Sequence, residues 1–438
     1  MRAKNRVGLV FFPAFDWAIS PQHPEREERL LYTQDQIFEE GIADIEGIHF
    51  FNPHVAKPED VYRVHFPYPG ASEVVTESHL IAAGGVMRAF DAVMDGETDK
   101  SFALVRPPGH HAQRVTYGDR GFCIVNTEAV GLEYIRAKHG NLRVAVIDTD
   151  CHHGDGTQDI YWNDPNTLFI SFHQDGRTLY PGTGAQTELG GPGAYGHTVN
   201  IPLPPNTGDE GFLHILDEVV LPILEDYKPD LIVNSAGQDN HYTDPLTSMN
   251  FSAQGYALLN ERLNPDVAVL EGGYSIQGAL PYVNTGIVLA MAGLDYSGVQ
   301  EPDYHEGKWK QSLRVTQQVE RVAKDVLASW KNRESEARKL FSGQDVVSRQ
   351  RQVYYDTAGL MEGQTQEFKV CTNCSGVNWI HSGNDRGARI LGITIPKDAC
   401  SACQKEGYHH YTAAKNRRIN KRYLQDRVKE EYLFERVN

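Results

Sequence analysis

Short runs of aliphatic and β-branched residues recur along the first two thirds of the chain, at 7–12, 102–105, 142–147, 167–172, 230–234 and 267–270. Each is closed by glycine, proline or a cluster of acids and histidines. Continuous apolar runs of this length predict buried strands of one sheet. Between them, mixed apolar and charged stretches predict helices: one opening at 23–30 with acids in its early turns, one over 76–94, and a long charged one over 309–341. Residues 66–71 hold two prolines and a glycine and predict a loop. The pattern changes after the long helix. Residues 342–366 are polar and predict a linker, and 379–381 and 389–395 are strand-like pieces. From Lys415 the chain turns basic, which predicts a terminal helix. The expected division is a first domain over 1–340 and a small module over 343–438.

Candidate chemistry sits where the apolar runs stop. The run at 142–147 leads into Asp148-Thr-Asp150-Cys-His152-His153-Gly-Asp155-Gly. So many ionisable groups at a strand mouth are costly to bury without a metal or a partner network. Asp150 and His152 are two apart, so on extended backbone they share a face, and a carboxylate with an imidazole can begin a zinc site. A turn rich in polar caps is the plainer alternative. Asp239 closes the run at 230–234 and offers a third ligand; two carboxylates and one histidine leave positions open for water and substrate. Ligands arriving from different strand ends fit a site beyond the carboxyl ends of a parallel sheet.

In the tail, Cys371-Thr-Asn-Cys374 and Cys400-Ser-Ala-Cys403 form two Cys-x-x-Cys pairs. This spacing predicts a four-cysteine zinc site of ribbon type, with Zn2+ stabilising a module too small to bury much apolar area; disulfides or free thiols are the alternative. Cys123 and Cys151 stand alone and read as small buried thiols.

The aspartate–histidine block resembles the metal signature of the histone deacetylase and acetylpolyamine amidohydrolase family. Further blocks of the same resemblance follow in order: Arg106-Pro-Pro-Gly-His110-His111-Ala112, Gly121-Phe122-Cys123, Tyr180-Pro-Gly, Gly237-Gln-Asp239 with Asp244-Pro-Leu, and Leu270-Glu-Gly-Gly273-Tyr274. It spans residues 23–294 and leaves out the cysteine-rich module. It implies an arginase/deacetylase α/β fold, a central parallel sheet flanked by helices, and zinc-dependent hydrolysis of an acyl amide. Asp150, His152 and Asp239 would bind the catalytic Zn2+. His111 would be the principal base and acid and His110 its electrostatic partner, with Asp148 and Asp155 hydrogen-bonded to the two rings respectively. Tyr274 would stabilise the oxyanion. Gly121, Phe122, Tyr180 and Gly273 would line the substrate channel. Arg29 matches an arginine at the channel's inner end, against the reading of a surface arginine. A K+ site using carbonyls near Ser171 and Phe172 is a further implication.

The substrate expected is N-ε-acyl-lysine in proteins or peptides. An N-acetylated polyamine is the alternative, and a module that mainly recruits a partner is another. Asp155 leans toward protein deacetylases, because polyamine enzymes often carry Asn there. A net charge of −16 argues against broad nucleic-acid binding and suits basic substrates. At 438 residues, 40% hydrophobic, the chain can bury a large core. No apolar stretch is long enough to cross a bilayer. The start superficially copies a signal peptide but is interrupted by Pro13 and Asp16 and has no evident cleavage site, so a cytoplasmic protein is expected. The tail also suits a contact between subunits of a homo-oligomer.

Overall fold

The structure is a computed structural model that describes the chain except Asp303, Glu306, residues 414–418 and Asn438. Eight strands build the first sheet: β1 (Arg2–Phe12), β2 (Glu46–Phe51), β3 (Lys100–Val105), β4 (Val144–Asp148), β5 (Thr167–Gln174), β6 (Thr198–Leu203), β7 (Leu231–Ala236) and β8 (Val267–Leu270). They lie in the order β2-β1-β3-β8-β7-β4-β5-β6, and every pairing is parallel. Neighbouring β4 residues serve opposite faces. Ala145 and Ile147 enter the core on one side, Val144 and Val146 the core on the other. A strand buried on both faces has no polar alternation, which is why these segments read as unbroken apolar runs.

Helices cover each face. Glu77–Met94 and Thr127–His139 pack on one side. On the other lie Glu28–Glu39, Ala253–Leu263, Leu280–Met291 and the long helix Leu313–Phe341. The last buries Val315, Val319, Ala323, Val326 and Trp330, a single apolar stripe at helical spacing. The helix expected from His23 starts only at Glu28, because Glu25 is turned inward to hold two arginines.

The tail departs most from expectation. Residues 342–366 are no linker: β9 (Val346–Tyr355) and β10 (Leu360–Lys369) pair along their whole length, Val346 opposite Lys369 and Tyr355 opposite Leu360. Their inward positions alternate properly but mix apolar residues such as Val353 and Phe368 with polar ones, Glu362, Gln364 and Gln366 all being buried. A period-2 signal carried by amides and acids does not register as hydrophobic alternation. β11 (Asn378–Asn384), β12 (Arg389–Ile395), β13 (Lys421–Asp426) and β14 (Glu431–Arg436) complete a six-stranded sheet in sequence order. The expected basic helix is thus a strand pair from Lys421 onward, and its start, residues 415–418, lies outside the described residues. Arg422 is drawn inside over the Tyr411 ring, 4.4 Å from its centroid, so charge gave a false surface signal.

This second sheet rests on segments that belong with the first. Phe66 and Val115 pack with Ile380, Ile390 and Tyr423. Arg351 and Gln366 both donate to Asp159 Oδ1, at 2.6 and 2.7 Å, and Arg349 lies 3.3 Å from the same atom. Burial disfavours the Asp159 carboxylate, but Arg351, Arg114 and Arg349 outweigh it and bring its pKa down to about 2. A depressed carboxyl pKa stabilises the folded state fully above the unfolded value of about 3.9 and loses that contribution as pH falls toward the folded value. Thermal melting of Asp159→Asn at neutral pH should therefore show a loss of about 2–3 kcal/mol, shrinking between pH 4 and 2. Melting unchanged at neutral pH would show that the pair does not hold the two sheets together.

Candidate active site

Four adjacent strands, β3, β8, β7 and β4, send their carboxyl ends to one place. The segment after β3 carries His110 and His111. Asp150 and His152 follow β4, Asp239 follows β7, and Glu271 to Tyr274 follow β8. One metal-ligating atom from each of Asp150, His152 and Asp239 lies within 4.8 Å of the others, and all three residues are buried. His152 Nδ1 is 3.2 Å from Asp150 Oδ1 and 2.9 Å from Asp239 Oδ2.

The donor set fits a divalent cation. Among the described residues, Asp150 and Asp239 form ion pairs only with histidines. Burial and the charge of Asp150 push the Asp239 carboxyl up, whereas His110 and His152 overcome burial to hold Asp150 down. Two buried carboxylates this close to one imidazole offer the oxygen and nitrogen donors that a divalent cation takes. The backbone leaves room only for the carboxylates. A β-carbon on Gly237 would stand 2.0 Å from Asp150 Oδ2, and one on Gly272 would stand 2.3 Å from Asp239 Oδ2. The N–H of Gly272 donates to Asp150 Oδ2 at 2.7 Å.

The two imidazoles differ in their surroundings. His110 Nδ1 lies 3.2 Å from Asp148 Oδ2 and its Nε2 3.8 Å from Asp150 Oδ1. Burial disfavours its cation, yet Asp150 and Asp148 lift its pKa well above the usual value. His111 Nδ1 lies 2.9 Å from Asp155 Oδ1. Burial, aided by neighbouring His110, takes its pKa down to about 3 against the pull of Asp155. A cation bound at Asp150 would remove part of the lift on His110.

Tyr274 is held from three sides. Its N–H donates to Asp244 Oδ2 at 2.7 Å, the Arg29 guanidinium lies 5.0 Å from its ring centroid, and Phe122 meets it edge-on at 5.6 Å. Arg29 is fully buried, which removes the reading of a surface arginine. It donates to the carbonyls of Gly273 and Glu271 and pairs with Glu25, which also takes a bidentate pair from Arg106. Tyr180 stands edge-on to His111 at 5.2 Å. Gly121 comes so close to both that a β-carbon there would lie 2.5 Å from the His111 ring and 3.0 Å from the Tyr180 ring.

Several residues that shape the site were given no role by the sequence, Glu271 among them although it lies inside the 270–274 block. Glu271 Oε2 accepts from the N–H groups of Gly109 and His110, at 2.7 and 3.0 Å. Arg120 donates to Asp155 at 2.8 Å, and Gln113 donates to its other oxygen at 2.8 Å. Only the Glu25–Arg29 pair had a signal, the i,i+4 spacing of opposite charges.

Beside the second sheet, on the loop after β10 and at the start of the helix Ser401–Ala413, the four sulfurs of Cys371, Cys374, Cys400 and Cys403 also lie within 4.8 Å of one another. The backbone N–H of Cys403 brings Cys400 down to about 7, while burial raises Cys403; a dication among the four would deprotonate them all. Cys123 and Cys151 are buried away from this cluster.

A parallel sheet whose strand ends bring together two carboxylates and three imidazoles has the build of a metal-dependent hydrolase. Residues 69–290 match the family described as histone deacetylase domain. A protein of Archaeoglobus fulgidus named probable deacetylase is 46% identical over 325 residues, covering 68% of this chain and 89% of the relative. The chain belongs to the histone deacetylase family, a hydrolase acting on amide bonds with metal-dependent catalysis. A histone deacetylase-like amidohydrolase of Pseudomonas aeruginosa is 35% identical, covering 53% of this chain and 62% of the relative. Among solved structures, that titled HDA15 HD domain superposes with a TM-score of 0.64 at 27% identity, covering 76% of this chain and 99% of that one.

Proposed function

We propose that this chain removes acetyl or related acyl groups from the ε-amine of lysine in proteins or peptides. The observation that carries the proposal is the convergence of Asp150, His152 and Asp239 beside two histidines with opposed environments. Their mixed oxygen and nitrogen donors suit zinc, which when bound polarises the amide carbonyl and acidifies water. His111 keeps Nδ1–H on Asp155, so its Nε2 is the atom that takes the proton of the attacking water and returns it to the leaving amine. His110, between Asp148 and Asp150, supplies positive charge beside it. The Tyr274 hydroxyl donates to the oxyanion as the tetrahedral intermediate forms. Phe122 and Tyr180, with Gly121 and Gly273, flank the aliphatic stem and exclude water.

The same proposal includes a second zinc on the four thiolates and two units over 1–340 and 343–438. It also includes K+ near Ser171 and Phe172, a reading supported by the register that sets Ser171 opposite Asp148. A cytoplasmic setting accords with six unpaired cysteines. Among the described residues no helix is long and apolar enough to cross a membrane. The deciding measurement is kcat/KM on lysine peptides of graded acyl length beside acetylputrescine. Acetyl-lysine peptides should be preferred; a clear preference for the diamine overturns the substrate assignment.

A further inference from the structure

The second sheet reaches the catalytic histidine by three routes. Asp356, in the turn between β9 and β10, accepts from the Gly121 N–H at 2.9 Å. The carbonyl of Tyr354 accepts from Arg120 Nε at 3.1 Å, and the other end of that guanidinium grips Asp155. Arg351 donates to Gln113 Oε1 at 3.0 Å, and Gln113 Nε2 donates to Asp155 Oδ2 at 2.8 Å. Both oxygens of the carboxylate that orients His111 are therefore fixed by groups that are themselves fixed by β9. Around Asp356, Thr357 Oγ1 also meets Asp119 Oδ1 at 3.2 Å, and Tyr355 donates its hydroxyl to the Val115 carbonyl at 2.9 Å. The loop 115–122 is thus pinned at both ends by one strand and its turn.

The contact at Gly121 matters because of what lies behind it. Gly121 and Phe122 both have positive φ, 55° and 67°, an uncommon state for phenylalanine that surrounding structure must enforce. The Gly121 backbone presses on the rings of His111 and Tyr180, and Phe122 presses on Tyr274. A shift of this loop would move the proton-transferring imidazole, the channel wall and the oxyanion donor together.

We infer that the C-terminal sheet is a working part of the active site, with Asp356 a positioning residue that holds the Gly121–Phe122 segment against His111 and Tyr274. This rests on the proposed acyl-lysine hydrolysis for its catalytic consequence, but the contact itself can be read without any substrate.

The test uses the full-length, metal-loaded protein with Asp356→Ala and Asp356→Asn. Asparagine keeps an acceptor oxygen and alanine does not. Amide hydrogen exchange of the peptide containing Gly121 should quicken in the alanine variant and stay near the parent's in the asparagine variant. The alanine variant should lose about 10- to 100-fold in kcat/KM on acetyl-lysine peptides, through kcat as well as KM, with asparagine restoring most of it. Melting temperature and metal content, measured in parallel, should stay close to the parent's. Unchanged exchange in the alanine variant overturns the contact. Faster exchange with undiminished kcat/KM overturns the positioning role. Equal loss in both variants assigns the effect to the charge and overturns the hydrogen bond as its cause. A parent inactive on every acyl amide refutes the proposed reaction, and with it the catalytic consequence, while the exchange data still decide the contact.

Discussion

Replacing Asp239 by asparagine should reduce bound metal from about two equivalents per chain to about one and take hydrolysis to background. Asp239 Oδ1 accepts from the Cys151 N–H at 2.8 Å, and Oδ2 faces His152 Nδ1 at 2.9 Å. Asparagine keeps this shape but surrenders a charge and one oxygen donor, so whichever way the amide turns, an N–H2 group meets either a backbone N–H or the would-be metal ligand. The four cysteines lie beside the other sheet and should keep their ion, so the variant stays folded and separates the two sites by stoichiometry. Elemental analysis with a peptide assay checks this. Two equivalents retained with normal turnover would show that Asp239 is not a ligand.

Tyr274→Phe should lower kcat by about 10²- to 10³-fold with little change in KM. The substitution removes one hydroxyl and no packing: Phe122 still meets the ring, Arg29 still lies over it, and Asp244 still holds the backbone. An oxyanion donor acts on charge that appears only in the transition state, which is why the loss falls on kcat. Steady-state kinetics with metal content and melting as controls would detect it, and an undiminished kcat would remove Tyr274 from the mechanism.

The catalytic half of this molecule was readable because its physics is local in sequence. β4 announces itself as an apolar run, and the groups that follow it are dense enough to demand a metal or a network. Asp239 could be joined to them as the close of another apolar run, and Tyr274 only through the family resemblance; the parallel sheet then explains why their strand ends meet. The supporting layer was not readable in that way. Arg120 and Gln113 act through contacts with residues distant in the chain and belong to no spacing that chemistry requires, and Glu271, though inside the 270–274 block, shows its role only through its contacts with Gly109 and His110. β9 and β10 were hidden for a different reason. The middle of their buried face is Glu362, Gln364 and Gln366, which satisfy one another and Asp159, so apolar positions such as Val353, Leu360 and Phe368 were too scattered to read as strands.

The two clusters of side chains that could hold a metal also differ in depth. Asp150, His152 and Asp239 are all buried, whereas Cys371, Cys374 and Cys400 are each partly open to solvent. Chelators, mercurials and oxidants arriving from solution will therefore meet sulfur first. Inactivation by such reagents would begin with loosening of the sheet that braces His111 from behind, so a protein can lose turnover while its reactive centre remains chemically intact. Protection by a reducing agent, rather than by substrate, would be the mark of that route.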